Sequence, residues 1–153
     1  ASRDARSRRR PGARPATADA FGQQCGGLKD PLGQIEAKDA GAKVFATEPV
    51  PVYLTTAAGL TNATPSEFSE SVEEGQDVPP ATLLEALQLI DSGEIKVMIV
   101  NPQTGGDETT QVMDEAKAKN IPVLEFTETL PEGQTYLSWM QSNIAALANA
   151  LAA

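Results

Sequence analysis

One run of the sequence restricts the fold more than any other: KVMIV, at residues 96–100. After its lysine the run is continuously apolar, without the polar–apolar alternation of a strand that has one face in water. Such a run is expected of a strand covered on both faces, as in a parallel sheet. Short, mainly apolar strands are also predicted at residues 44–46 and 122–126, and a helical pattern follows each of the three. This alternation predicts an α/β fold with a small parallel β-sheet of three to four strands flanked by helices. If there is a fourth strand, we expect it to come from the N-terminal part of the chain.

Start and stop signals predict where the helices lie. The motif TPSE at residues 64–67 predicts a capping box, and Asp107 is predicted to cap a later helix. The predicted helices cover residues 34–39, 49–59, 64–75, 81–91, 107–119 and 136–151. The last of them has apolar residues spaced 3, 4, 3 and 4 apart, which is typical of a core-facing stripe. Its members are Leu137, Met140, Ile144, Leu147 and Leu151.

Polar side chains directly follow each predicted strand. Glu48 comes after the first strand, the segment Asn101-Pro102-Gln103 after the second, and Glu128 after the third. Because right-handed crossovers bring the carboxyl ends of parallel strands to one edge, we expect these residues to lie along it. Ligands of such sheets bind beyond that edge. The two glutamates are therefore the leading candidates for a functional site.

Residue chemistry leaves several uses open for the two glutamates. Glu48 could be a helix N-cap or a first-turn acid, and Glu128 a solvated loop acid. Together they suit either general acid–base chemistry or metal binding. The chain contains no histidine, which excludes Ser-His-Asp and Cys-His catalysis and histidine-ligated zinc within it. Carboxylates alone favour hard cations, so selectivity for zinc or manganese requires further ligands.

Charge divides the chain into two parts. The formal net charge is −9, yet all six arginines lie within the first fourteen residues. Residues 15–153 carry six lysines against twenty acidic residues, a net charge of −14. This acidic body disfavours nucleic acid as a partner and suits cations. We interpret the arginine-rich start as a disordered leader, and the alternative is a basic arm for nucleic acid or an anionic surface.

Two further observations concern the cellular compartment. The single cysteine, Cys25, cannot form an internal disulfide, so cysteine usage leaves the redox compartment open. No apolar run reaches the length of a signal peptide or a membrane helix. The chain as given therefore has no visible export signal.

Three segments together resemble a known family. In chain order, TEPVPVYLTTAAGL (47–60), VNPQTGGDETTQV (100–112) and IPVLEFTETLPEGQTYLSWM (121–140) resemble the C-terminal lobe of zinc/manganese-type solute-binding proteins. These are the extracytoplasmic metal receptors of bacterial ABC transporters, either periplasmic or cell-surface lipoproteins. The resemblance covers residues 41–153. It implies a binding protein, not an enzyme, that delivers a divalent transition metal (Zn2+ or Mn2+) to a transporter permease.

The resemblance also implies roles for the two glutamates. In the family the metal lies between two α/β lobes, and the C-terminal lobe supplies two ligands. A His or Glu after the first strand of that lobe matches Glu48, and the acid of a Ser/Thr-acid-Ser/Thr-Leu turn matches Glu128. The remaining ligands, typically histidines, come from the N-terminal lobe and the connection, which have no counterpart in the sequence.

These expectations divide the chain into two regions. Residues 1–40 form a disordered or atypical basic leader of native, frame-shifted or artificial origin, and residues 41–153 form the C-terminal α/β lobe. The protein is then a truncated receptor lobe whose own metal binding is weak or absent. Because an isolated lobe exposes the surface that faced its partner, homodimerisation or domain swapping is a further hypothesis. The alternative reading is a small cytosolic α/β enzyme or receiver-like domain that uses the strand-end carboxylates.

Overall fold

The computed structural model describes residues 26–153, so the arginine-rich segment, Cys25 and most of the predicted leader lie outside the described part. In chain order the elements are α1 (Lys29–Asp39), β1 (Lys43–Ala46), α2 (Val52–Ala57), β2 (Thr61–Asn62), α3 (Ser66–Glu73), α4 (Pro80–Asp91), β3 (Ile95–Val100), α5 (Asp107–Ala118), β4 (Val123–Glu125) and α6 (Tyr136–Ala152). Strands and helices alternate along this series, as the predicted α/β class requires.

The four strands form one parallel sheet in the order β2-β1-β3-β4. The central pair is in register with Ala46 opposite Ile99, and β4 continues the sheet with Leu124 opposite Ile99 on its other side. Residues Val97 to Val100 of β3 are all buried, in agreement with the uninterrupted apolar run. The predicted fold class is confirmed, and every strand presents its carboxyl end at the same edge.

The fourth strand does not come from the N-terminal part of the chain. It is the two-residue strand β2, which follows a tight turn at Gly59, where φ is +70°. Backbone bonds hold it beside β1, with Thr61 N donating to Ala42 O and Ala63 N to Val44 O, each at 2.9 Å. Two exposed residues carry no apolar periodicity, and therefore sequence patterns could not reveal this strand.

The core lies in two layers, one on each side of the sheet. On one side Phe45 and Met98 pack with apolar residues of α3, α4 and α5. The rings of Phe45 and Phe68 meet edge to face at a centroid distance of 5.3 Å. On the other side Val44 and Val97 pack with residues of α1, α2 and α6. Burial of each such side chain stabilises the fold by about 1.5–3 kcal/mol, so the layers fix the positions of the strand ends.

The closing helix α6 agrees with its predicted stripe. Ile144 and Leu147 are buried, and the other members of the stripe are partly buried. Its start has a feature that sequence reasoning missed: Thr135 and Ser138 form a capping box, in which Ser138 N donates to Thr135 Oγ1 at 3.1 Å.

The predicted capping box at residues 64–67 was wrong. Thr64 Oγ1 accepts a hydrogen bond from Ala46 N at 2.8 Å, at the end of β1, and Glu67 accepts one from Thr82 Oγ1. Both side chains thus bridge to neighbouring elements and leave the α3 N-terminus without a side-chain cap. The predicted cap at Asp107 was also wrong, because Asp107 is the first residue of α5 and no side chain caps that helix.

Two helices begin three or more residues away from their predicted starts. The helix expected from Pro49 begins at Val52, because Val52 N donates to Pro49 O and closes a turn before α2. The helix expected at residues 34–39 begins earlier, at Lys29, and buries Ile35 against α6. The division of the chain at residue 40 stays a prediction, although this packing ties residues 29–39 to the same core as the strands.

No helix within residues 26–153 combines the length and the apolar character needed to cross a membrane.

Candidate functional site

Glu48 lies at the carboxyl end of β1 with only 4% of its surface exposed. The residue before it, Thr47, donates its backbone N–H to Ile99 O at 3.0 Å and so extends the pairing of β1 with β3. This extension holds the Glu48 backbone against the neighbouring strand. The turn that follows, residues 49–51, leads into α2. Glu48 is neither the N-cap of α2, which is Pro51, nor an acid of its first turn, which were two of its possible uses.

Both oxygens of the Glu48 carboxylate accept hydrogen bonds from the loop after β3. Asn101 Nδ2 donates to Oε2 at 2.9 Å, and Thr104 Oγ1 donates to Oε1. Both donors are neutral, and no lysine or arginine pairs with Glu48 in the described part of the chain. Burial of a charge is costly unless it is hydrogen-bonded, and these two bonds offset part of that cost. Among residues 26–153 no cationic side chain compensates the negative charge.

Asn101 is as deeply buried as Glu48, at 4% exposure, and uses both ends of its amide. While Nδ2 donates to Glu48, Oδ1 accepts from Gln103 N at 3.0 Å. The second bond closes a side-chain turn of the kind that asparagine forms with the backbone two residues on. Asn101 therefore fixes the loop 101–104 and the carboxylate at the same time.

Glu128 lies beyond the end of β4, in an exposed turn. Phe126 N donates to Val100 O at 2.9 Å and carries the β3–β4 pairing up to this turn. Within the turn, Thr127 Oγ1 donates to Thr129 O at 2.9 Å. The Glu128 side chain is exposed and stands at the same edge of the sheet as Glu48. Thr127 and Thr129 thus shape the turn on either side of the acid.

Gln103 links the loop after β3 to the turn after β4. Its Oε1 accepts from Glu128 N, and its Nε2 donates to Thr129 Oγ1, both at 3.2 Å. Because β3 lies between β1 and β4, its loop is the element in contact with both glutamate-bearing segments. Sequence reasoning placed residues 101–103 at this edge but did not identify them, or Thr104, as partners of the glutamates. The only sequence signal was a polar NPQT segment directly after a buried strand.

The arrangement does not amount to a complete metal centre. Within residues 26–153 no group of three or more His, Cys, Asp or Glu side chains is placed to hold a metal ion. The start of α5 is a poor anion site, because Asp107 and Glu108 occupy its first turn and oppose a negative ligand there. The edge therefore offers two carboxylates in a framework of amide and hydroxyl groups.

A family model for the periplasmic component A of a zinc-uptake complex (ZnuA) matches residues 14–150. The match covers most of the chain. The chain belongs to the ZnuA family. The match to the ZnuA model begins at residue 14. The resemblance to the family that the three sequence segments indicated begins later, at residue 41. The resemblance to zinc/manganese solute-binding proteins is confirmed, whereas among curated proteins no sequence matches the chain.

Solved structures with the same fold include an adhesin with metal-transporting activity and two proteins solved with a bound metal ion. The laminin-binding adhesin Lmb of Streptococcus agalactiae is 20% identical with a TM-score of 0.69, covering 89% of this chain and 50% of that one. FpvC of Pseudomonas aeruginosa, solved in complex with Mn2+, is 15% identical with a TM-score of 0.66, covering 90% and 51%. A Zn(II)-bound AdcAII variant of Streptococcus pneumoniae is 15% identical with a TM-score of 0.62, covering 89% and 49%. The chain spans about half the length of these relatives.

Membership of the ZnuA family has general consequences. The family consists of solute-binding proteins of metal uptake and is not a family of enzymes. Its members are periplasmic or surface-exposed. The likeness to the solved structures supports the fold of one half of such a protein.

Proposed function

We propose that the chain is the C-terminal lobe of an extracytoplasmic zinc or manganese receptor of an ABC importer, and that Glu48 and Glu128 are its metal ligands. The observation that carries the proposal is the presence of both carboxylates at one edge of the sheet, joined by a single loop, in a chain of the ZnuA family. The metal is cargo: the intact receptor would bind the ion outside the cell and deliver it to a permease.

The surroundings of Glu48 suit a cation better than they suit catalysis. A general base must be positioned to exchange protons with a substrate. Glu48 is instead buried and accepts hydrogen bonds from two neutral donors. Each carboxylate oxygen has a second lone pair, so metal coordination does not require both hydrogen bonds to break. Exposed Glu128 would approach the same ion from the turn after β4, on the other side of β3.

Two carboxylates alone form a weak site for a transition metal. Zinc usually takes four ligands, and its selective capture relies on imidazole or thiolate groups. The described residues contain no histidine, so water would complete the coordination of an ion bound to this lobe. We expect a dissociation constant in the millimolar range, which corresponds to a favourable binding free energy of about 4 kcal/mol. Tight binding would then require ligands from the other half of a longer protein.

The receiver-like alternative receives no support from the fold. A receiver needs a lysine at the end of a late strand to accompany its acids. Lys117 lies in α5 and Lys119 directly after it, at the opposite end of the helix from the strand edge that carries the glutamates. A cytosolic enzyme that uses these carboxylates is likewise at odds with the ZnuA family.

Zinc and manganese titrations followed by NMR test the metal proposal. We expect millimolar binding by the chain, and Glu48→Gln and Glu128→Gln should each weaken it at least tenfold, or about 1.4 kcal/mol. Glu132→Gln, which removes an exposed acid from the same loop, is the matched control. If neither Glu48→Gln nor Glu128→Gln weakens binding more than the control does, the assignment of the ligands is wrong.

We also propose that the chain self-associates through apolar side chains near the strand edge. Tyr53 is 81% exposed, Tyr136 is 51% exposed and Leu130 is 46% exposed. Tyr53 and Tyr136 border an apolar cavity of about 450 Å³ between α1, α2 and α6. Exposed apolar side chains beside an apolar cavity favour an interaction site. Light scattering should show dimers that Tyr53→Ser dissociates, and a monomer at high protein concentration would contradict the proposal.

A further inference from the structure

We propose that Gln103 is a positioning residue that fixes the turn bearing Glu128, and that Asn101 links this turn to Glu48, so that the loop 101–104 sets the relative placement of the two glutamates. The inference rests on the proposed metal-binding role of those glutamates. The hydrogen bonds themselves are independent of that role, and the experiment below separates the two questions.

A continuous path of hydrogen bonds runs from one glutamate to the other. It begins at Glu48 Oε2, which accepts from Asn101 Nδ2 at 2.9 Å, and continues from Asn101 Oδ1, which accepts from Gln103 N at 3.0 Å. It ends where Gln103 Oε1 accepts from Glu128 N at 3.2 Å. Two side-chain amides therefore span the distance between residues that are 80 positions apart in the sequence.

The two ends of the path differ in burial, and this difference assigns the roles. Asn101 is buried beside Glu48 and has little freedom to move, so it acts as the fixed point. Gln103 is exposed and reaches outward from this fixed point to the turn after β4. An exposed glutamine side chain loses rotamer freedom when it is held in one conformation. Its two simultaneous bonds, to Glu128 N and Thr129 Oγ1, offset that loss.

The chemistry of the amide suits this bridging role. Gln103 has to accept from a backbone N–H and to engage a hydroxyl at the same time, and a primary amide provides both groups on one carbon. Methionine has nearly the same length and shape but can make neither bond. Glutamate can still accept from Glu128 N, and the Thr129 hydroxyl can rotate to donate to it. The pair Gln103→Met and Gln103→Glu therefore separates loss of the bonds from change of the side chain.

Amide exchange in the metal-free protein tests the bridge directly. By NMR, solvent exchange of the Glu128 amide should be about fivefold faster in Gln103→Met, as expected for the loss of one hydrogen bond. Exchange in Gln103→Glu should stay near that of the unmodified protein. Gln111→Met, at an exposed position in α5, is the control and should have no effect. If Gln103→Met leaves the Glu128 amide unchanged, the bridge does not exist in solution.

Zinc titration of the same variants tests the positioning role. Gln103→Met should weaken zinc binding about threefold to tenfold when it is introduced into the unmodified protein or into Glu48→Gln. It should have no effect in Glu128→Gln, because the ligand that Gln103 positions is already lost in that variant. Equal weakening in all three backgrounds would mean that Gln103 acts through general stability, and the positioning role would be refuted. If the unmodified chain binds no zinc, the proposed function fails, while the exchange of the Glu128 amide still decides whether the bridge is present.

Discussion

Replacement of Asn101 by alanine should be among the most damaging single changes at the strand edge. Asn101 is 4% exposed and donates at 2.9 Å to a carboxylate that is itself 4% exposed. A hydrogen bond to a charged group contributes about 1.5–3 kcal/mol, and Gln103 N loses its acceptor as well. Because Glu48 would be left buried with one donor fewer, we expect the upper part of this range. Asn101→Ala should therefore lower the free energy of unfolding by about 3 kcal/mol.

A double-mutant cycle with Glu48→Gln separates the charge from the rest of the loss. In the Glu48→Gln background the partner of Asn101 is a neutral amide, and Thr104 can rotate its hydroxyl to accept from the new Nε2. The further cost of Asn101→Ala should then fall to about 1–1.5 kcal/mol, the upper half of the range for a neutral hydrogen bond. The expected coupling between the two sites is about 1.5–2 kcal/mol.

Urea unfolding followed by circular dichroism and by the fluorescence of Trp139 measures all four corners of this cycle. In thermal unfolding, the single change Asn101→Ala should lower the melting temperature by about 10 °C. Asn62→Ala is the control: Asn62 is exposed and bonds only a neutral partner, Thr64, so its loss should cost less than about 1 kcal/mol. The reasoning is refuted if Asn101→Ala costs no more than Asn62→Ala, or if its cost is the same with Glu48→Gln present.

Three other changes test the fold. Thr109 is 95% buried and its Oγ1 lacks a hydrogen-bond partner within residues 26–153, so Thr109→Val should raise the free energy of unfolding by about 1 kcal/mol, measured by urea titration. Gly59→Ala should destabilise by about 1–2 kcal/mol in the same assay, because φ is +70° and the new Cβ would lie 2.7 Å from Glu36 Cγ. Asp91 raises the pKa of Lys119 through a hydrogen bond and charge attraction, so Lys119→Met should be less stable than the unmodified protein at neutral pH. This difference in stability should disappear as the pH rises through the raised pKa, because Lys119 then loses its charge. A difference that persists above that pH would contradict this cause.

The parts of the fold that could be predicted are those in which burial dictates residue type. Strand β3 is covered on both faces and is therefore apolar at every position after its lysine. Helix α6 faces the core on one side, and its apolar residues recur at helical spacing. Strand β2 has neither property, because its two residues are exposed and are held only by backbone bonds to β1. Patterns of side chains cannot report an element whose side chains do not pack.

Local motifs failed where tertiary contacts offered the same side chains other partners. Thr64 at the start of α3 had the residues of a capping box around it, yet its hydroxyl accepts from Ala46 N at the end of β1. Glu67, the other half of that motif, accepts from Thr82 in the next helix. A capping bond and a bridging bond contribute similar free energies, so the choice between them depends on which neighbours the fold supplies. That information is absent from a four-residue motif.

The same reasoning explains what could and could not be predicted at the candidate site. The positions of Glu48 and Glu128 at one edge follow from parallel topology alone. Their partners do not, because pairing of Glu48 with Asn101 requires β1 and β3 to be neighbours, and strand order is a property of the packed sheet. Residues 101–103 were therefore predicted only as a turn at the edge, without a contact to either glutamate.

The absence of a cationic partner for Glu48 in the described part of the chain bears on what the edge can bind. A lysine or arginine in the place of Asn101 would hold the carboxylate more strongly but would cancel its charge and repel a second cation. Neutral donors orient the carboxylate and leave its charge available, and Gln103 does the same for the turn of Glu128 through uncharged groups. A site built in this way attracts divalent ions by charge but has little means to distinguish among them, because carboxylate oxygens are hard ligands. If Glu48 and Glu128 bind the metal as we propose, selectivity for zinc over manganese resides in ligands beyond these two glutamates, and the chain alone should bind both ions with similar, weak affinity.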